Sequence, residues 1–263
     1  MLKWFKAVCL TAAMMYVIPA SAVDPTFDVE RSWSGALVVM PTLPGVDPVI
    51  ARMTDAINYN YFAAVKRGTP VAIYLHGSTG IEKGHIHDMK VLAQGGFISI
   101  APDSFKRKGR KMQCDLNMNC GGFPDAHKWR IEEIRYSLVM LRTQPWVDTN
   151  RLILMGHSEG AIAAGNWRGT EFRAVILHGW MCRNYDEQTS GLKTPSTVPV
   201  LNITSSKDEK WPSRYWGTCE RDLKGKWQAH WEVISPAGVT DHYLGARPEV
   251  EQKLIEFARR FTQ

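Results

Sequence analysis

The chain has 263 residues, 44% of them hydrophobic and 22% charged, with Lys and Arg outnumbering Asp and Glu by 32 to 26. This is ordinary globular composition, and the length suits one domain of about 240 residues after a leader. The net charge of +6 is spread among acidic residues with no basic run, repeat or low-complexity tract; nucleic acid is therefore not an expected partner, because binding it needs a clustered basic face.

Residues 1–22 have the pattern of a secretory signal. Lys3 and Lys6 make a positive start, Ala7 to Ile18 is uncharged and mostly apolar, and Pro19-Ala20-Ser21-Ala22 carries an A-x-A cleavage pattern, so the mature chain is expected from Val23. The apolar run would rise about 18 Å as a helix, too short for a hydrocarbon core of roughly 30 Å. No later stretch is long and apolar enough to span a bilayer, and no membrane insertion is expected after cleavage.

In the mature chain, short apolar runs alternate with helical patterns. Strands are expected at Gly35–Met40, Val71–Leu75, Phe97–Ala101, Arg151–Met155, Ala174–His178, Val198–Thr204 and Trp231–Ser235. Near-continuous apolar runs such as Val-Ala-Ile-Tyr-Leu at 71–75 suit strands covered on both faces, as in a parallel sheet between helices. Apolar residues three and four apart predict helices over Val49–Arg67 (Ile50, Met53, Ile57, Tyr61) and Lys128–Thr143 (Ile131, Ile134, Leu138, Leu141). A last helix opens at Pro248 and carries Val250, Leu254, Phe257 and Phe261. Alternating strands and helices imply an α/β domain with a mostly parallel, doubly wound sheet flanked by helices, whose site lies beyond the carboxyl ends of the strands.

The residues after those strand ends carry chemistry. Gly156-His157-Ser158-Glu159-Gly160 follows one strand and leads into Ala161, Ala163, Ala164 and Gly165. G-x-S-x-G arises by chance in roughly one chain in ten of this length; the strand before it and the small-residue helix after it make it a nucleophile elbow. A hydroxyl needs a base, and in such sheets the acid and the His follow the Ser in chain order. Asp208 follows the strand Val198–Thr204, with Glu209 as fallback. His242 lies between the last strand and the last helix, with Asp241 a weaker rival acid. His76-Gly77-Ser78-Thr79-Gly80 ends an early strand, so the oxyanion donors are expected to be the backbone N–H groups of Ser78 (or Thr79) and Glu159.

Once the leader with Cys9 is removed, Cys114, Cys120, Cys182 and Cys219 remain, and an oxidising compartment favours disulfides. Of the three possible pairings, Cys114–Cys120 with Cys182–Cys219 is favoured because the 114–120 loop closes easily. No Cys-x-x-Cys spacing points to metal, and His85 with His87 alone is weak evidence for it. Arg107, Lys108, Arg110 and Lys111 either receive an acidic substrate group or form a solvated basic loop, the latter being favoured. Trp180 forms a pocket wall or covers the sheet edge. Trp211, Trp216, Trp227 and Trp231 are expected in packing.

Taken together, His76–Gly80, Pro102-Asp103-Ser104-Phe105 with Arg110 and Cys114 after it, Val147–Arg151 and Gly156–Gly160 resemble the dienelactone hydrolase-like branch of the α/β-hydrolases, from Val71 to Arg260. The resemblance implies the α/β-hydrolase fold, a lidless core, a small-molecule ester or lactone as substrate, and neither metal nor cofactor. One departure matters: dienelactone hydrolases proper use a Cys nucleophile, and this chain has Ser158, so their dienelactone substrate does not carry over. A peptidase or amidase would use the same triad, and a catalytically silent binding module would be the non-enzyme alternative.

Overall fold

The structure, a computed structural model, describes residues 28–43, 45–115 and 119–263; the expected leader, residues 1–22, lies outside them. Eight strands form one sheet: β1 (Leu37–Met40), β2 (Val49–Arg52), β3 (Thr69–Leu75), β4 (Ile98–Ala101), β5 (Val147–His157), β6 (Ala174–His178), β7 (Val200–Ile203) and β8 (Trp231–Ile234). Their order is β2-β1-β4-β3-β5-β6-β7-β8. β1 runs antiparallel to β2 and β4, and β4, β3, β5, β6, β7 and β8 are mutually parallel.

Helices cover both faces, and the side-chain period of two sorts each strand between them. In β3, Val71, Ile73 and Leu75 join a core with Trp33 of α1 (Asp28–Ser34), Ile134 and Leu138 of α4 (Ala126–Arg142) and Ala161 and Ile162 of α5 (Glu159–Gly165). Ala72 and Tyr74 point the other way. They pack with Met89 and Leu92 of α3 (Lys83–Gln94) and Leu254 and Phe257 of α7 (Pro248–Thr262). Each fully buried Leu or Phe adds roughly 1.5–3 kcal/mol of hydrophobic stabilisation. This two-sided burial is why the central strands lack polar alternation.

Two elements differ from the sequence reading. The helix expected over Val49–Arg67 is instead the edge strand β2, the short helix α2 (Met53–Asn58) and a single 3-10 turn at Tyr61–Ala64. Three of the four apolar positions that suggested it face no core: Ile50, Ile57 and Tyr61 are exposed, and α2 buries only Met53 and Ala56. The β-branched pair Val49-Ile50 instead joins the ladder of Val39 and Met40. α3 lies outside the elements expected from the sequence, because Gly84 lowers its helix propensity. A Cβ at Gly84 would come within 3.0 Å of the Tyr243 ring, so the glycine serves packing. A capping box between Glu82 and His85 opens this helix.

Two disulfides, Cys114–Cys120 and Cys182–Cys219, tie loops beyond the strand ends. Among the described residues, no helix is long and apolar enough to cross a membrane.

Candidate active site

β5 delivers Ser158 at a sharp turn into α5, with φ 54° and ψ −117°. A non-glycine residue held there stores strain of order 1–3 kcal/mol. The flanking glycines are sterically required. A Cβ at Gly156 would sit 2.2 Å from the Gly160 carbonyl oxygen, and one at Gly160 would sit 2.0 Å from that of Leu75. The Ser158 N–H donates to His178 O at 2.9 Å and fastens the turn to β6.

Asp208 follows β7 and is fully buried. Its Oδ2 lies 2.6 Å from His242 Nδ1, and its Oδ1 accepts the Lys210 N–H at 2.9 Å. Donation from Nδ1 fixes the His242 tautomer and leaves Nε2 as the basic nitrogen. Glu209 is exposed, and only its backbone joins this loop, through N–H donation to Thr240 O at 3.1 Å. The Asp241 carboxylate is exposed and faces Arg247 at 3.9 Å. Ser158 and His242 line one cleft of about 140 Å³, with Ser78, Thr79, Asp115 and Lys210 among its other walls.

At the end of β3, the Gly80 N–H closes a turn onto Gly77 O at 3.2 Å. The amides of Ser78 and Thr79 take no part in that closure. Glu159 is the first residue of α5, so its N–H is one of the amides a helix leaves without an internal partner.

A set of histidines, of which the sequence pointed only to His85 and there only weakly toward metal, holds the His242 loop. The Glu82 N–H donates to His85 Nδ1 at 2.9 Å, so the proton of the neutral ring sits on Nε2 and points at His157 Nδ1, 3.0 Å away. His157 must then carry its proton on Nε2, which faces the His242 carbonyl at 3.4 Å. Burial pushes His85 down to about 4. Burial, with His242 beside it, holds His157 well below its ordinary range. Next to them, the Leu244 N–H donates to His178 Nε2 at 3.0 Å, so His178 Nδ1 carries its proton and donates to Asp88 Oδ2 at 3.0 Å. Tyr74 Oη donates to the same Asp88 oxygen at 2.8 Å, and Ser205 Oγ donates to Asp241 O at 2.6 Å. The available signal in the sequence was a polar residue closing an apolar strand, His157 on β5 and His178 on β6.

On the other side of Ser158 lies a lattice of charges. Arg110 Nη2 contacts Glu159 Oε1 at 2.5 Å, and Arg130 Nη1 contacts Glu133 Oε2 at 2.8 Å, with all four side chains buried. Burial raises the Glu133 carboxyl, opposed by Arg130. Arg110 Nε donates to Ser104 Oγ at 3.1 Å, and the Ser104 N–H donates to His76 Nε2 at 3.1 Å. Burial, and then Arg130, keep His76 well below its ordinary range. The solvated basic loop expected at Arg107–Lys111 is therefore corrected. Lys108 and Lys111 are exposed, but Arg110 is locked in this lattice. Arg107 is buried over the Trp129 ring at 4.0 Å and paired with Glu132 at 2.7 Å. Carboxylates on α1, α4 and α5 draw both arginines inward.

Several other residues have structural places. Trp180 is fully buried, donates to Arg183 O at 3.0 Å and packs at Gly165 of α5; it covers the sheet instead of walling the cleft. His87 pairs with Glu251 of α7 at 2.7 Å, apart from His85. Among the described residues, no three His, Cys, Asp or Glu side chains are grouped to hold a metal ion.

The model of the dienelactone hydrolase family matches residues 59–249. YitV of Bacillus subtilis (strain 168) is 26% identical over 115 residues, a match covering 44% of this chain and 42% of that protein. The chain thus aligns with less than half the length of that curated relative. Among solved structures, ferulic acid-bound Est1E of Butyrivibrio proteoclasticus has a TM-score of 0.57 at 15% identity, covering 86% of this chain and 94% of that one. XC6422 of Xanthomonas campestris, described as a lidless α/β serine hydrolase, has a TM-score of 0.53 at 16% identity, covering 86% and 88%. The esterase Pf2001 of Pyrococcus furiosus has a TM-score of 0.57 at 14% identity, covering 74% and 84%. At these identities the likeness is one of fold, that of the α/β-hydrolases.

Proposed function

The chain belongs to the dienelactone hydrolase family, and on that premise we propose that it is an exported serine hydrolase that cleaves an ester or lactone through Ser158, His242 and Asp208. The observation that carries this reading is the 2.6 Å contact between His242 Nδ1 and buried Asp208, on a loop that shares its cleft with a serine held at positive φ.

In this mechanism His242 Nε2 takes the proton from Ser158 Oγ as that oxygen attacks the ester carbonyl carbon. The charge that develops on the carbonyl oxygen is met by the N–H groups of Ser78 and Glu159. His242 then passes the proton to the leaving oxygen, releasing the alcohol and an acyl-serine. A water molecule, deprotonated by His242, attacks the acyl-serine and returns the acid and free Ser158. Asp208 keeps its charge and stabilises the imidazolium. Two disulfides support export, since such bonds persist in oxidising compartments.

The test is covalent labelling of the folded, disulfide-intact protein with a fluorophosphonate, beside Ser158→Ala and His242→Ala. Labelling of the parent alone, mapped to Ser158, is expected. A folded parent that does not label sinks the acyl-transfer mechanism. Release of alcohol from aryl acetates, against amine from the matching anilides, separates an esterase from an amidase with the same triad.

A further inference from the structure

Two cavities meet at the nucleophile, and both include Ser78 and Ser158 in their walls. The wider one contains His242. His242 has to protonate the leaving oxygen, so the alcohol portion of the substrate belongs in that cleft and the acyl portion points into the other. The second cavity is only about 10 Å³, walled by Gln113, His127, Glu159, Ile162, Tyr185 and Trp211. That is room for one water-sized group and excludes an alkyl chain.

Gln113 and Tyr185 in its wall bond each other, but His127 and one Glu159 oxygen are unmatched. Among the described residues, His127 Nδ1, His127 Nε2 and Glu159 Oε2 are all closed off from solvent without a hydrogen-bond partner. Glu159 Oε1 is already taken by Arg110 at 2.5 Å. Burial keeps His127 below its ordinary range, so the ring is neutral and presents one N–H and one lone pair. Glu159 Oε2 only accepts. A hydroxyl satisfies both neighbours, donating its proton to Glu159 Oε2 and accepting the His127 N–H. A methyl group leaves both unmet, and a carboxylate would oppose the charge of Glu159.

We propose that this cavity is a hydroxyl-recognising acyl subsite, formed by His127 and Glu159, that selects esters of short hydroxy acids over their deoxy counterparts. The proposal rests on the triad reading and deepens it. A site built to hydrogen-bond a substrate hydroxyl discriminates strongly against the analogue lacking it, because its own buried groups are then left unpaired.

The test compares kcat/KM for ethyl lactate and ethyl propionate, and for methyl glycolate and methyl acetate, each normalised to the ester's own rate with hydroxide. The expected normalised preference for the hydroxy ester is at least tenfold. In His127→Phe, which keeps ring volume and removes both nitrogens, the ratio falls toward one. In His127→Gln, which restores a donor and an acceptor, the preference returns. The parent ratio depends on no variant: a parent that treats each pair alike after normalisation overturns the subsite, as does a preference that survives in a folded His127→Phe. Fluorophosphonate labelling of the same preparation separates the two layers. A labelled enzyme without the preference overturns the subsite alone, whereas neither labelling nor turnover overturns the triad reading and the subsite with it.

Discussion

Ser158 sits between two polar networks built from opposite materials. On the His242 side, neutral imidazoles pass single hydrogen bonds from the Glu82 N–H through His85 and His157 to the His242 carbonyl. On the Glu159 side, Arg110, Arg130, Glu133 and Glu159 hold one another as buried ions. The general base of the proposed mechanism gains and loses a proton in every turnover. A neutral scaffold fixes its position without adding a charge that would oppose that change. The Glu159 side exchanges no proton in that cycle, and its ions hold a loop and a helix start rigidly at a desolvation cost. The two sides should therefore fail differently, one in rate and the other in stability.

The largest expected effect separates them most sharply. Asp208→Asn keeps the shape of the His242 contact but no longer selects the Nδ1–H tautomer, and kcat on an aryl acetate should fall roughly 10⁴-fold while folding is retained. Steady-state kinetics beside thermal unfolding checks this. Near-parent activity would mean that another acid serves His242.

Next comes the ionic side. Arg130→Met removes the nearest counter-ion of fully enclosed Glu133 and leaves it Arg107 at 3.8 Å, and should cost about 3–5 kcal/mol in denaturant unfolding. Replacing both residues, as Arg130→Met with Glu133→Leu, should recover most of that loss, because the penalty lies in the uncompensated charge. A single variant within 1 kcal/mol of the parent would show that the lattice is not under electrostatic load.

Acid should load the buried histidines of both sides without mutation. His76, His85, His127 and His157 all resist protonation in the fold. Because their folded values lie below the unfolded ones, the unfolded chain binds more protons once the pH drops below the ordinary histidine value. Stability is thus intact above that value and is lost as the pH falls. For His85 the window runs from 6.5 to about 4, and this residue alone would account for about 3 kcal/mol across it. Urea midpoints measured from pH 7 to pH 4 should fall steadily, and His85→Gln should flatten the curve.

The sharp turn at Ser158 was legible because backbone clearance dictates residue type there: only glycine fits at 156 and 160. The two-sided strands were legible because double burial removes polar alternation. The edge region 49–67 was not, since apolar residues at exposed positions such as Ile50 and Ile57 mimic a helical period that no core enforces. The histidine relay and the ion lattice escaped for another reason. His85, His157 and the His242 loop lie on three different elements, as do Arg110, Arg130 and Glu159, and no sequence spacing encodes contacts that only the sheet brings together. Motif and structure still meet at Asp103-Ser104-Phe105 with Arg110, where Ser104 joins His76 to Arg110.

The smallest effect tests the relay itself. His157 fills the first variable position of the G-x-S-x-G motif, one residue before the proposed nucleophile, and its link to the His242 carbonyl is long at 3.4 Å. A long bond to a backbone acceptor steadies a loop but moves no proton to the reacting atoms. His157→Gln should therefore lower kcat about tenfold, equivalent to about 1.4 kcal/mol in the barrier, with KM near the parent value and the acidic limb of the kcat/KM profile keeping its midpoint. If the midpoint moves while the fold is retained, His157 exchanges charge with the catalytic base, and the division between a neutral positioning side and a charged structural side no longer holds. If kcat is unchanged, the loop is held well enough by the Leu244 N–H on His178 and the Ser205 hydroxyl on Asp241, and the relay contributes to stability alone.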